Sequence, residues 1–372
     1  MSTRLSFWGG INKPMESKKK TRVGILFGGK SAEHEVSLRS AKSIVDALDR
    51  EQYEPVLVGI DPEGVWHVES MDTLPTGESL SLDVSAEETA LVPSSKGELS
   101  GTTVGIGKLD VVFPVLHGTN GEDGTVQGLL TLADVPFVGP SVLGSAVGMD
   151  KAVMKALLRD AGILNANAIV FRRGDDIFYD TVEAELGMPV FVKPANLGSS
   201  VGVSKATDAE SFEKAVEEAF RYDTKIIVEE MIAGREIECA VLGNEDPQAS
   251  VPGEIIPHDE FYSYEAKYID PDGAGLEIPA DLDPETTARI QDMAIRTFQS
   301  LECEGMGRVD CFLRENGEVL VNEINTIPGF TSISMYPKLW EASGVPYPEL
   351  IDRLIRLAIA RHKRDSALRT KR

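Results

Sequence analysis

The stretch Gly307-Arg-Val-Asp-Cys-Phe-Leu-Arg-Glu-Asn-Gly-Glu-Val-Leu-Val-Asn-Glu-Ile-Asn325 sets two apolar-rich runs on either side of Asn316-Gly317. That dipeptide is favoured in two-residue type I′ hairpin turns. In such a hairpin, directly paired residues have numbers that add to a constant, here 633. The reading therefore predicts Asp310 opposite Glu323 and Arg308 opposite Asn325, all four on one face because side chains alternate along a strand. Directly opposed Cβ atoms lie ~4.5–5.5 Å apart, and two carboxylates at that separation repel unless a cation bridges them. The donors are hard oxygens, which suits Mg²⁺ or Mn²⁺ with water and phosphates completing the shell. The plainer alternative is an exposed polar sheet face on which Arg308 neutralises the pair.

Working outward, a metal that carries phosphates needs partners for the rest of a nucleotide. Pro189-Val-Phe-Val-Lys193-Pro194 reads as an apolar strand ending in a point charge suited to a phosphate oxygen. The turn Leu197-Gly-Ser199-Ser200 joins it to a strand at Val201–Ser204 too closely for a helical crossover, so this pair is expected to be antiparallel. The small residues Gly198 to Gly202 permit close backbone approach and lid motion. Glu229 and Glu230, ending the strand from Lys225, could face an adenine edge, and Glu236, beyond a hinge at Gly234, could accept from ribose hydroxyls. Singly, each of these reads equally well as an ordinary hairpin or solvated charge. In chain order they describe an ATP site between two sheets.

The N-terminal third alternates differently. An apolar run Val23 to Phe27, a Gly28-Gly29 turn and Ala41, Ile44, Val45 and Leu48 at helical spacing begin a series of βα units. With a second buried strand at Leu109 to Leu116, the pattern implies an open, mostly parallel, doubly wound sheet with its site at the strands' C-terminal ends. Gly24 to Ser31 fits the letters of a phosphate-binding loop, but Gly24 falls inside the strand and Glu33 and Glu35 follow at once, so that match is rejected. The turn does offer a helix N-terminus for an anion with Glu33 nearby for a cation, a combination suited to an amino-acid zwitterion. Equally, Glu33 and Glu35 could simply complement the helix dipole.

Composition narrows the functions further. Across 372 residues, 60 Asp and Glu outnumber 37 Lys and Arg, a net charge of −23 that argues against a nucleic-acid partner. Basic residues cluster only at Lys18 to Lys20 and in the last dozen positions. Three unpatterned cysteines, Cys239, Cys303 and Cys311, are read as core residues in a reducing compartment. With neither a membrane-length apolar run nor a signal-like N-terminus, the protein is expected in the cytosol. The expected organisation is a disordered leader at 1–21, an N-terminal α/β domain at 22–148, a central subdomain at 149–233 and a C-terminal subdomain at 234–372.

The succession of Lys-Pro, Gly-Ser lid, Val-Glu-Glu, acidic hairpin and Asn325-Thr-Ile-Pro-Gly329 resembles the ATP-grasp enzymes, and within them the D-alanine:D-alanine ligase family. Four stretches carry the resemblance: Gly28 to Ser37, His117-Gly-Thr-Asn-Gly-Glu-Asp-Gly-Thr-Val-Gln-Gly128, Phe261 to Tyr268, and Asn322 to Ser332. It implies three α/β units with ATP gripped between the second and third. It also implies that Lys151, Lys193 and Ser200 bind ATP phosphates, and that Glu229, Glu230, Ile232 and Glu236 line the adenosine pocket. Asp310, Glu323 and Asn325 would hold two Mg²⁺ or Mn²⁺. Glu33 would take the ammonium of the first D-alanine with His117 beside its carboxylate, and Ser334 would help hold the second. Arg308 and the Gly329 N–H would stabilise charge on the reacting carboxyl, while Ser199 and Tyr268, linked to Glu33, would tie the lid over the substrates. Ile333 stands where many relatives have His, a departure at the second subsite. The implied activity is ATP-dependent ligation of two D-alanines through a D-alanyl phosphate, for peptidoglycan precursors, by a cytoplasmic homodimer. A D-alanine:D-lactate ligase, expected to lack a Tyr at 268, and a non-catalytic nucleotide-binding module are the rival readings.

Overall fold

The computed structural model describes residues 19–31, 33–69, 91–93, 99–101, 107–257 and 274–369. The whole stretch from Phe261 to Tyr268 lies outside the described residues, as do residues 1–18 of the expected leader.

The first sheet begins with β1 (Thr21–Gly28), followed by helix α1 (His34–Ala47), β2 (Tyr53–Ile60) and β3 (Trp66–Glu69). A small antiparallel pair, β4 (Leu91–Pro93) and β5 (Leu99–Gly101), precedes β6 (Val111–Pro114). The strand order is β3-β2-β1-β6, with β2, β1 and β6 parallel and β3 antiparallel at the edge. Both faces are buried, as a doubly wound sheet requires. Val23, Ile25 and Phe27 pack under α1, whereas Leu26, Val58 and Val112 pack with Val126 and Leu130 of α2 (Thr125–Leu132). Gly24 lies in mid-strand between Val56 and Val112, which confirms that it cannot open a phosphate loop.

Helices α3 (Val142–Met149) and α4 (Lys151–Asp160) lead into the second sheet. Asp150 starts α4 by accepting the N–H groups of Ala152 and Val153, the usual side-chain rescue of free helix donors. The sheet contains β7 (Ala168–Arg172), β8 (Val190–Pro194), β9 (Ser204–Ala206) and β10 (Lys225–Glu230), in the order β7-β10-β8-β9, all antiparallel. The predicted antiparallel pairing across the Gly-Ser turn is thus present, its second strand starting at Ser204. Helices α5 (Tyr179–Leu186) and α6 (Ala209–Tyr222) cover one face through Val182, Phe212, Ala215 and Ala219. Alternation then leaves Lys193 and Glu229 on the other face.

The third sheet runs β14-β13-β11-β15-β16, built from β11 (Arg235–Gly243), β13 (Gly253–Pro257), β14 (Ala274–Glu277), β15 (Gly305–Leu313) and β16 (Val319–Asn325), with β12 (Gln248–Ala249) beside β11. Ile237, Cys239, Val309, Cys311 and Val321 point to one face, where α7 (Pro284–Ser300) packs through Ile290, Ala294 and Phe298 and α4 through Met154 and Leu158. All three cysteines are buried and free, as read from the sequence.

Two features tie the first and third sheets into one body. A single apolar cluster joins Ile25 and Phe27 of β1 to Ala240 and Met306 of the third sheet through α8 (Met335–Ala342) and α9 (Tyr347–Ser366). From α9, the buried Arg361 donates to the carbonyls of Gly139 and Phe137 and stacks on the Phe137 ring at 4.7 Å. Within the basic C-terminal segment, Arg364 pairs with Glu245, Glu304 and Asp365. No helix among the described residues is long and apolar enough to cross a membrane.

Candidate active site

The register of the acidic hairpin matches the expectation at its functional end, by a different route. Near the turn the pairs are Leu313 with Val319 and Cys311 with Val321, a register one lower than predicted. Gly317 N–H donates to Arg314 O at 2.9 Å and Gly317 has φ +81°, which makes a three-residue loop with glycine in the left-handed position. Asn316 keeps a negative φ, so the type I′ turn is absent. A bulge between Asp310 and Cys311 then restores the register, and Asp310 pairs with Glu323 and Arg308 with Asn325.

Across the other edge of β15, Glu238 pairs with Asp310, so Glu238, Asp310 and Glu323 form a row of three carboxylates. Opposite charges hold the row together. Arg308 donates to both oxygens of Asp310 at 2.7 Å and reaches Glu238 Oε2 at 2.9 Å, and Asn325 Nδ2 donates to Asp310 Oδ2 at 2.8 Å. Lys151 Nζ stands 3.4 Å from Glu323 Oε2 and donates to Leu197 O, at the base of the Gly-Ser turn, at 2.7 Å. Glu236, Glu238, Asp310, Asn322 and Glu323 line one depression beside Phe312. Among the described residues no three His, Cys, Asp or Glu side chains converge on a ready metal position. The donor set is nonetheless that of a hard divalent cation, with carboxylates concentrated where Arg308, Lys151 and Lys193 offset their repulsion.

The second sheet faces this row with its own charges. Lys193 Nζ donates to Glu229 Oε2 at 2.6 Å, and Lys155 Nζ lies 3.1 Å from Glu229 Oε1. Burial alone would raise the Glu229 carboxyl, but Lys193 and Lys155 draw it down to about 2. The Glu229 carboxylate is therefore engaged by two lysines. Glu230 accepts the Asn167 N–H at 2.8 Å, and Ile232 packs with Ala166, Leu320 and Phe312 in an apolar slot between the two sheets. Ser199 and Ser200 both take left-handed backbone conformations, with φ +54° and +58°, strain of the kind that collects at ligand-gripping turns.

On the first sheet, Glu33 and His117 follow the C-terminal ends of the neighbouring strands β1 and β6, where an open α/β sheet places its site. Glu33 is 7 % exposed at the start of α1 and does not cap it. The chain at Gly118 passes so near that a Cβ there would lie 2.9 Å from Glu33 Oε2, and one on Gly198 would lie 3.8 Å from the same atom. Glu33 thus lies between the His117 loop and the Gly-Ser turn. His117 is buried, its Nδ1 3.1 Å from Ile327 O and its Nε2 3.4 Å from Ser40 Oγ. Burial pushes the imidazole below its ordinary value, against the pull of Glu33 and of the Ile327 carbonyl. Gly329 lies beside Ser334, whose Oγ is 2.7 Å from Thr331 Oγ1, and Ile333 is 70 % exposed.

Four residues join this site that the sequence reading left without a role. Glu122 accepts the Gly118 N–H at 2.8 Å. Burial and the Glu33 charge push its carboxyl up to about 8, against the N–H groups of Gly118 and Ile327 that it accepts. Lys155 lies one helical turn beyond Lys151 and Glu238 two residues beyond Glu236, spacings that put each on a recognised partner's face. Ser40, wholly buried on α1, gave no signal beyond being polar within an apolar stripe.

A lysine-bearing antiparallel sheet and a Gly-Ser turn set against an acidic sheet, with a doubly wound third unit closing one end, define the ATP-grasp class. Residues 22–140 match the family described as D-ala D-ala ligase N-terminus, and residues 157–356 the one described as D-ala D-ala ligase C-terminus. A D-alanine–D-alanine ligase from Oceanobacillus iheyensis is 54% identical over 362 residues, 95% of this chain and 99% of that protein. D-alanine–D-alanine ligase A from Escherichia coli K12 is 52% identical over 367 residues, covering 95% and 99%. Among solved structures, the D-alanine-D-alanine ligase from Coxiella burnetii superposes with TM-score 0.83 at 42% identity, covering 93% of this chain and 96% of that one. A D-Ala:D-Ser ligase from Enterococcus faecalis gives TM-score 0.82 at 36% identity, covering 91% and 100%. The chain belongs to the D-alanine–D-alanine ligase family, and use of ATP comes with that membership.

Proposed function

We propose that the chain joins two D-alanines, driven by ATP, through a D-alanyl phosphate, in three working units at 22–148, 149–233 and 234–372. The observation that carries the reading is the placement of Glu33, the Gly-Ser turn, Lys151 and the Asp310–Glu323 pair around one cleft. A carboxylate is a poor electrophile, so the γ-phosphoryl group is first moved onto the first D-alanine. Lys151 and Lys193 meet the charge spread over the transferring phosphoryl oxygens. Asp310, Glu323 and Asn325 would hold two Mg²⁺ or Mn²⁺, which when bound neutralise phosphate charge. Glu33 takes the ammonium of the first D-alanine, and Ser334 orients the second. Glu236 and the slot around Ile232, with Glu230 beside it, accept the nucleoside. The free amine of the second D-alanine attacks the acyl carbon, forming the C–N bond and giving up a proton. Arg308 and the Gly329 N–H meet the oxyanion before the C–O bond to phosphate breaks. Ser199 and Tyr268 close the site, because an acyl phosphate exposed to water is hydrolysed. The product serves peptidoglycan precursors, and the enzyme works as a homodimer in the cytoplasm.

The test is ADP release with D-alanine, L-alanine, D-serine and D-lactate as acceptors in turn. D-alanine should give the fastest turnover and a dipeptide product. Faster turnover with D-serine or D-lactate would reassign the acceptor, and no dependence on any acceptor would point to a binding module. The lid is tested at Gly202, where φ is +70° and a Cβ would lie 2.7 Å from Tyr222 Cδ2 and 2.9 Å from Pro194 Cγ. Gly202→Ala must displace the turn, so kcat/KM for ATP should fall about 10- to 100-fold. An unchanged value would remove the turn from the site.

A further inference from the structure

The segment Ile327-Pro328-Gly329-Phe330 is held from outside its own sheet. The Phe330 N–H donates to Ser40 Oγ at 3.2 Å, and Ser40 faces His117 Nε2 at 3.4 Å. Ile327 O lies 3.1 Å from His117 Nδ1, and the Ile327 N–H is accepted by the Glu122 carboxyl group. Ile327 O can only accept, so the ring proton sits on Nδ1, and Nε2 is left to accept the Ser40 hydroxyl. Both ring nitrogens of His117 are then committed to protein groups. Tyr347 OH donates to Phe330 O at 2.5 Å, and the Phe330 ring meets Phe113 edge-on at 5.5 Å, fixing the far end of the segment. Between these anchors stand only Pro328, which has no N–H, and Gly329.

We infer that Ser40, His117 and Glu122 form a clasp that aims the Gly329 N–H at the oxyanion of the amide-forming step. This rests on the oxyanion reading of Gly329 given above. Ser40 and Glu122 are positioning residues, acting through the backbone on either side of Gly329. A donor held by its neighbours costs no reorganisation as charge develops on the acyl oxygen, whereas a loose one must be ordered during the reaction. The clasp is built from the first sheet's own loop and helix, so the unit that carries Glu33 also sets the oxyanion site.

The clasp predicts an uneven effect on the two half-reactions. Scrambling of ¹⁸O between the β,γ-bridging and non-bridging positions of ATP, with D-alanine present, reports phosphoryl transfer and its return. Dipeptide release reports the whole sequence. In Ser40→Ala and Glu122→Ala, release should fall about 10- to 100-fold while scrambling stays within about twofold, so their ratio rises. Glu122→Gln keeps an acceptor for the Ile327 N–H and should recover most of the loss. Arg308→Lys and Gly329→Pro, both weakening the oxyanion site directly, should raise the ratio as well. If they raise it and the Ser40 and Glu122 variants slow both readouts equally, the clasp is only a docking contact and the inference fails. If none of the four raises it, the oxyanion reading itself is wrong, and the clasp falls with it.

Discussion

Glu323→Gln should lower kcat by about 10³-fold while leaving the melting temperature unchanged. The substitution keeps the side chain's shape and removes one charge from the row of Glu238, Asp310 and Glu323. Glu323 lies at the cleft's edge with its side chain 25% exposed, and its ion pair with Lys151, at 3.4 Å, is partly solvated and contributes little to folding. Its charge is needed instead where divalent cations and phosphates compete with Arg308 and Lys151 for the carboxylates. Steady-state kinetics across a Mg²⁺ titration, beside thermal unfolding, checks this. Turnover within about threefold of the parent at every Mg²⁺ concentration would remove Glu323 from the reaction. A large loss in melting temperature would make its role structural.

Glu229→Gln should have the opposite profile, a large loss of stability. Its carboxylate lies between Lys155, which is 1% exposed, and Lys193. Removing the charge strands a buried ammonium, a change that costs about 3–5 kcal/mol in comparable pairs. A fall in melting temperature on the order of 5–10 °C is expected. The pH dependence follows from the direction of the shift. The folded carboxyl titrates at about 2 against an ordinary 4.5, so between those values the unfolded chain binds a proton that the folded chain does not. The stabilisation is complete above pH 4.5 and is lost as pH falls toward 2. The parent should therefore lose stability over that window more steeply than the variant. Parallel acid limbs would contradict the buried triad. Lys193 also loses its tether, so KM for ATP should rise in the same variant.

The hairpin shows how the sequence was legible and where it was not. Asp310 faces Glu323 as predicted, but the two-residue turn behind that prediction is absent. The loop closes with one residue more, and a bulge at Asp310/Cys311 compensates. The extra residue falls at Asn322, where Asn322 and Glu323 break the alternation of β16, a slip too brief to be read as a bulge from the sequence. The parallel pairing of the first sheet was readable because apolar runs alternated with helical periodicity. The antiparallel edge strand β3 was not, since Trp66 to Glu69 is too short to show a pattern. The site was legible where chemistry and spacing coincide, as at Lys193 and the Gly-Ser turn. It was opaque where contacts join distant segments: Ser40 meets Phe330, 290 residues away, and no local signal could announce it.

The central claim is that this cleft activates a carboxylate by phosphorylation before forming an amide. It is tested most directly with D-alanine labelled with ¹⁸O in its carboxyl group, by following the label into products. Phosphoryl transfer to that carboxylate predicts one labelled oxygen in the inorganic phosphate for each D-alanyl-D-alanine released. Dipeptide accompanied by unlabelled phosphate would contradict it.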